Sequence, residues 1–187
     1  MQSLVSGPYI ALDFETSAYN GPCACAIGMA RLEHNVVVDT YYRLIRPPSR
    51  RIYFTRIHGL SWRDLKDQPD FAELWSEISA FIADAQFFIA HNARFDQNVL
   101  AACCDGYKLR MPTQSFLCTL RGARKALRLQ SYSLASVAAF FKIDLTHHHA
   151  GSDALACGLI HARLHDAGLE DDAMLLPAPG LSRQKRT

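Results

Sequence analysis

Asp13 and Glu15 alternate with Leu12 and Phe14 in a run from Tyr9 to Glu15 that reads as a β-strand. Strand geometry places Ala11, Asp13 and Glu15 on one face and Ile10, Leu12 and Phe14 on the other. Two carboxylates side by side repel in a low dielectric, so a cation is expected between them. A second group, His91-Asn92-Ala93-Arg94-Phe95-Asp96, stands where an apolar run gives way to helical spacing. An acid in the first helical turn is favoured by the macrodipole, which should keep Asp96 ionised and suited to a hard metal ion. Asn92 reads either as a cap or as a binding group. The third group is His148-His149-Ala150-Gly151-Ser152-Asp153, with Asp153 at the start of another helix. A separation of five residues does not put His148 and Asp153 on one helical face. It leaves His148 on a Gly-containing loop able to swing over a metal held by Asp153. A histidine, near neutrality in its pKa, suits the removal of a proton from water. The consecutive histidines His147 to His149 are poorly placed to converge on one transition-metal ion. Each group alone also has a plainer reading, as a solvated strand end or an ordinary first-turn acid.

These groups need rigid elements to bring them together. Strands are expected at Tyr9 to Glu15, Ala24 to Leu32 and Val36 to Ile45, joined by short turns in an antiparallel meander. Phe71, Leu74, Trp75, Ile78, Phe81 and Ile82 recur at helical spacing behind Asp70 and Glu73, which form a capping box. Phe87 to Ala90 is a buried strand, followed by a helix from Phe95 to Cys104 that Gly106 stops. Further helices span Thr119 to Leu127, Ser133 to Phe141 and Ser152 to His165. This alternation describes a mixed sheet with helices in one domain, an α/β or α+β arrangement.

The chain has 187 residues, a hydrophobic fraction of 49% and a net charge of +2, which fits a single folded domain over 1–176. The Pro-, Gly- and Arg-rich segment 177–187 reads as a mobile tail. No apolar run reaches the roughly 20 residues of a membrane span, and the first residues carry no signal-peptide pattern, so a cytoplasmic protein is expected. Six cysteines without paired C-x-x-C spacing read as reduced thiols of a core. Phosphate-binding glycine loops and nucleophile elbows are absent from the sequence.

Together LDFET at Leu12 to Thr16, IHGL at Ile57 to Leu60, HNARFD at His91 to Asp96 and HHAGSDA at His148 to Ala154 resemble the DnaQ-like, or DEDDh, family of 3′-to-5′ exonucleases. The resemblance covers roughly residues 8–166. It implies a ribonuclease H-like α/β fold: a central mixed sheet, three antiparallel strands and then parallel strands, flanked by helices. It further implies that Asp13, Glu15, Asp96 and Asp153 are the four catalytic acids holding two divalent cations, Mg²⁺ or Mn²⁺. His148 would be the general base. The backbone around Phe14 to Thr16 would meet the terminal 3′ hydroxyl, Ile57 and His58 would contact the last nucleotide, unless Ile57 is simply core and His58 a turn residue, and Asn92 is a further substrate-binding candidate.

The implied reaction is two-metal hydrolysis at the 3′ end of nucleic acid, DNA favoured and single-stranded or frayed, releasing nucleoside 5′-monophosphates. The acids and the histidine act on the phosphate and do not report the sugar, so an exoribonuclease is the alternative. A proofreading subunit of a DNA polymerase is another. Such subunits usually carry a longer C-terminal extension, which puts a free-standing nuclease first. A polymerase or repair partner and a homodimer stay open; no membrane partner is expected. Arg50-Arg51 and the run Arg121, Arg124, Lys125 and Arg128 are candidate phosphate contacts. Setting the four acids aside leaves a body of +6, of the right sign to recruit a polyanion.

Overall fold

A computed structural model describes residues 8–176; the tail expected at 177–187 lies outside them. Five strands form one sheet in the order β3-β2-β1-β4-β5. β1 (Tyr9–Thr16), β2 (Ala24–Glu33) and β3 (Val36–Leu44) are the antiparallel meander. β4 (Phe87–Ala90) and β5 (Ser115–Cys118) join parallel to β1.

Two short helices, α1 (Thr55–His58) and α2 (Trp62–Leu65), follow β3. α3 (Phe71–Ile82) starts at the expected capping box, with Asp70 accepting from the Glu73 amide and Glu73 from the Asp70 amide. α4 (Arg94–Gly106), α5 (Thr119–Ala126), α6 (Leu134–Phe141) and α7 (Ala150–Asp166) complete the helices, and a 3₁₀ turn spans Asp171–Ala173.

The alternation of β1 separates two cores. Ile10, Leu12 and Phe14 pack with residues of α3 and α4 on one side of the sheet, including Phe71, Ile78 and Leu100. Ala11 faces the other side, where Ala156, Cys157 and Ile160 of α7 pack with Val137 of α6. Asp13 and Glu15 therefore lie on the α7 side, at the C-terminal end of β1. The register between β1 and β2 shifts at Glu15/Thr16, an irregularity of the kind that re-aims side chains beside a site.

Two expectations are corrected. Gly106 does not stop α4 by a left-handed turn; it is the last helical residue, and the positive φ falls on Lys108. A side chain at Gly106 would meet the Pro22 ring, with Cβ 2.8 Å from Cγ, so packing accounts for the glycine. α7 begins at Ala150, two residues before the expected start, so Gly151 is helical and does not loosen the loop carrying His148. β5, α1 and α2 had no expectation. The four residues of β5 run directly into α5 without turn residues, and α1 and α2 are too short for a hydrophobic period.

The start of α7 lies against the sheet because β2 has a glycine there. Gly28 pairs with Asp13 in the β1–β2 ladder. A Cβ at Gly28 would lie 2.1 Å from the Ala150 carbonyl oxygen and 2.4 Å from the Gly151 amide nitrogen. Both are backbone atoms, so relief requires moving the helix. Gly28→Ala is expected to destabilise the fold by roughly 1–3 kcal/mol or more, read as a lower midpoint in urea unfolding at unchanged slope. A Gly28→Ala protein as stable as the parent would show that α7 does not need this approach.

Candidate active site

The ends of three elements meet at the C-terminal edge of β1. β1 brings Asp13 and Glu15, the first turn of α4 brings Asp96, and the first turn of α7 brings Asp153. Ligand oxygens of Asp13, Glu15 and Asp153 all lie within 4.8 Å of one another. Asp96 is buried and accepts the Phe14 amide at 3.2 Å, which ties α4 to the strand between the other two acids.

Two residues reach this place by left-handed backbone. Asn92, at φ 65°, turns the chain from β4 into α4; the N-cap of α4 is Ala93, so the side chain of Asn92 is not the cap. His148, at φ 64°, turns its amide onto Asp153 Oδ2 at 3.1 Å. Positive φ costs a side-chain-bearing residue about 1–3 kcal/mol, and such strain clusters at functional sites. His149 caps α7 by accepting the Ser152 amide, and its ring stacks on Tyr42 at 4.3 Å.

Burial and mutual repulsion dominate the electrostatics. Burial first, then Asp96, Asp153 and Glu15, push the Asp13 carboxyl well above the usual range. Burial, helped by Asp153, lifts Glu15 to about 7. Burial lifts Asp96 to about 8 against the opposing amides of Phe14 and of Asp96 itself. The expectation that the macrodipole keeps Asp96 ionised is thus overturned for the protein without cations: the loss of water outweighs the dipole. Asp153 is also raised by burial, countered by His147 and the His148 amide.

Asp153 Oδ1 is buried without a hydrogen-bond partner. An all-oxygen donor set, strongly destabilised as anions and with one orphaned oxygen, fits hard divalent cations. Asp13, Glu15 and Asp153 would hold one, and Asp96 would complete a second with Asp13.

A cleft of about 510 Å³ opens over the acids, lined by Phe14, Thr16, Ile57, His58 and His148 of the expected residues. Ile57 is 53% exposed and belongs to the cleft, not the core. His58 also holds the cleft wall: its Nδ1 accepts the Leu60 amide at 3.1 Å and its Nε2 lies 3.2 Å from the Thr16 carbonyl oxygen. Asn92 is not among the lining residues. Tyr19, Phe54, His91, Phe95 and Leu134 line the cleft without having been singled out for it. Phe95 carried a signal: the buried stripe of α4 is Asp96, Val99, Leu100, Cys103 and Cys104, and Phe95 falls outside it. His91 braces the wall, with Thr119 Oγ1 at 2.9 Å and the Tyr132 carbonyl oxygen at 2.8 Å.

The RNase_T family model, described as an exonuclease, matches residues 10–160, and the chain belongs to that exonuclease family. The PolC-type DNA polymerase III of Thermotoga maritima is 30% identical over 149 residues, 78% of this chain but 11% of the relative. The chain thus spans about a tenth of the length of such relatives. The DNA polymerase III subunit epsilon of Rickettsia prowazekii is 29% identical over 169 residues, 86% of this chain and 69% of that protein. Among solved structures, the nuclease domain of 3′hExo, a DEDDh family member bound to rAMP, has a TM-score of 0.76 at 12% identity, covering 93% of this chain and 98% of that one. Exonuclease X in complex with 5′ overhanging duplex DNA has a TM-score of 0.67 at 20% identity, covering 89% of this chain and 96% of that one. These likenesses bear out the ribonuclease H-like fold.

The raised carboxyls predict how stability depends on pH. Glu15 and Asp96 titrate near 7 and 8 when folded and near ~4 when unfolded. Between those values the native state binds more protons, so stability falls as pH rises and is lost through about pH 7–8. In EDTA, the melting temperature should therefore drop from pH 5 to pH 9, and Mn²⁺ should restore more at pH 8 than at pH 5. Asp96→Asn should flatten the EDTA profile. A flat profile in the parent protein would contradict this account of the site.

Proposed function

We propose that this domain is a 3′-to-5′ exonuclease that hydrolyses single-stranded or frayed 3′ ends of DNA, using Mg²⁺ or Mn²⁺ and releasing nucleoside 5′-monophosphates. The observation that carries this reading is the pairing of the carboxylate cluster with an aromatic and arginine-rich rim. Residues 46–63 contain five arginines, at 46, 50, 51, 56 and 63, and no Asp or Glu. Arg51 lies over Tyr53 at 4.7 Å and Arg50 over Trp62 at 6.0 Å. Tyr19, 76% exposed, meets Phe54 edge-on at 4.7 Å where the cleft opens. Arg46 is ion-paired with Asp70 and Glu73, whereas Arg50 and Arg51 have no ion pair among the described residues; exposed rings such as Tyr19 and Tyr53 beside such arginines suit unpaired bases and their phosphates. Arg124, close enough to His91 to depress its basicity, marks the other wall.

The cations, when bound, polarise the phosphate and lower the pKa of the attacking water. Asp13, Glu15 and Asp153 would hold the cation that activates water, and Asp96 with Asp13 would hold the other. His148 takes the proton of the attacking water as the new P–O bond forms. The bond to the 3′ oxygen of the preceding nucleotide breaks, that oxygen takes a proton from water to become the new 3′ hydroxyl, and the 5′-monophosphate leaves. Burial and His147 hold His148 below the usual histidine range, which keeps it neutral and able to accept that proton. Phe14, Thr16, Ile57 and His58 would seat the terminal nucleotide.

The likeness to epsilon supports a second reading, a proofreading role beside a DNA polymerase. Six buried cysteines, none in a disulfide, favour a reducing, cytoplasmic setting.

A panel of single-stranded DNA, duplex DNA with a mismatched 3′ end, and short RNA, each with Mg²⁺ or Mn²⁺, tests the assignment. Mononucleotides should leave from the 3′ end, fastest from single-stranded DNA. Faster cleavage of RNA would replace the sugar preference, and a preference for mismatched duplex ends would favour proofreading. His148→Ala should cost roughly 10²–10⁴-fold, and Asp153→Asn about a thousandfold or more. Near-normal turnover by either variant, or no degradation with either metal, would overturn the proposal.

A further inference from the structure

In the reaction above His147 only helps to keep His148 neutral, yet the fold directs it at the same carboxylate as His148. Neighbouring residues in extended chain point apart, and for that reason three consecutive histidines did not read as a metal site. The left-handed φ of 64° at His148 removes this objection. It folds the two imidazoles into a stack with centroids 3.9 Å apart and planes inclined by 24°. His147 Nδ1 then lies 3.5 Å from Asp153 Oδ2. One ligand atom each from His147, His148 and Asp153 lies within 4.8 Å of the others. Asp153 also keeps its buried Oδ1 unpaired. His149 stands apart, stacked on Tyr42 and engaged at the N-terminus of α7.

We infer that His147, His148 and Asp153 form a Zn²⁺ site that inhibits the nuclease by withdrawing its base and one of its acids. Two imidazoles and one carboxylate with an open fourth position make a zinc donor set, whereas Mg²⁺ prefers oxygen ligands and water. Ligand atoms about 2.1 Å from a tetrahedral ion lie roughly 3.4 Å apart, close to the 3.5 Å between His147 and Asp153. The remaining distances close by rotation of the His147 and His148 rings, both of which are exposed. Asp153 belongs to this set and to the oxygen set with Asp13 and Glu15. Zinc in the first therefore opposes Mg²⁺ in the second. The inhibitory consequence rests on the proposed nuclease reading; the binding site does not.

The test is a Zn²⁺ titration of the full chain in excess Mg²⁺, followed by calorimetry and by hydrolysis of a single-stranded oligonucleotide. Co²⁺ serves as a spectroscopic stand-in. The expected result is one Zn²⁺ per chain, a tetrahedral Co²⁺ absorption band, and loss of Mg²⁺-supported hydrolysis with the same midpoint as binding. His147→Gln should weaken Zn²⁺ binding at least tenfold, abolish the tetrahedral band and shift the Zn²⁺ midpoint of inhibition upward by the same factor, measured relative to the variant's own Mg²⁺-supported rate. His149→Gln should leave Zn²⁺ affinity unchanged. Unaltered Zn²⁺ affinity in His147→Gln, or an octahedral Co²⁺ spectrum, would overturn the site. Zinc bound as expected by a protein that hydrolyses nothing with Mg²⁺ would overturn the nuclease reading alone.

Discussion

Four carboxyl groups gathered at one place are held out of water, and the cost of that burial, with mutual repulsion second to it, governs this molecule. Asp13, Glu15, Asp96 and Asp153 come from three elements, and each is pushed toward its protonated form. Such a cluster is a poor way to stabilise a fold. The surrounding packing holds the acids in place, and divalent cations would supply the missing charge. The folding energy comes instead from the two apolar cores on either side of the sheet, which bury Phe71, Phe88 and Phe116 completely on one side and Leu117 and Ile160 on the other.

Holding the acids requires close backbone approach. α7 lies on the sheet through small residues, among them Ala154, Ala156 and Gly158. A Cβ at Gly158 would stand 2.8 Å from a Leu32 methyl carbon. At the start of the same helix, the bare Gly28 lets the Ala150 carbonyl settle beside the ladder position of Asp13. The distance from Asp153 to Asp13 is thus set by glycines and alanines that have no chemistry of their own. Strained backbone at Asn92 and His148 completes the arrangement, one turning β4 into α4 and the other folding the His147-His148 pair over Asp153.

The same geometry reinterprets the charge of the protein. A total of +2 suggests indifference to nucleic acid, but the negative charge is gathered at one point and the positive charge elsewhere. The acid-free stretch 46–63 contributes Phe54, Ile57 and His58 to the cleft, and Arg124 lies near enough to His91 to depress its basicity. In the proposed reaction a polyanion would meet positive charge around a site that cations would neutralise.

Much of this was legible beforehand because it depends on local pattern. The alternation Leu12-Asp13-Phe14-Glu15 dictates which face the acids share, and the period of Phe71 to Ile82 dictates α3 with its capping box. The type and order of the candidate catalytic residues are carried by short segments of the sequence. Other features had no local signature. β5 takes strand form by pairing with β4, which its four residues alone do not announce. Gly106 looks like a helix stop until Pro22 is seen against it. The aromatic lining at Tyr19, Phe54 and Phe95 comes from three separate segments. Asp96 looked ionised because its helix is visible in the sequence, whereas its burial is not. Sequence alone thus determined which residues could perform the chemistry and the elements that carry them, since these follow from side-chain type and short-range spacing. Tertiary structure alone decided their protonation, their mutual distances and the convergence of His147 with His148, since these depend on water exclusion and contacts between segments distant along the chain.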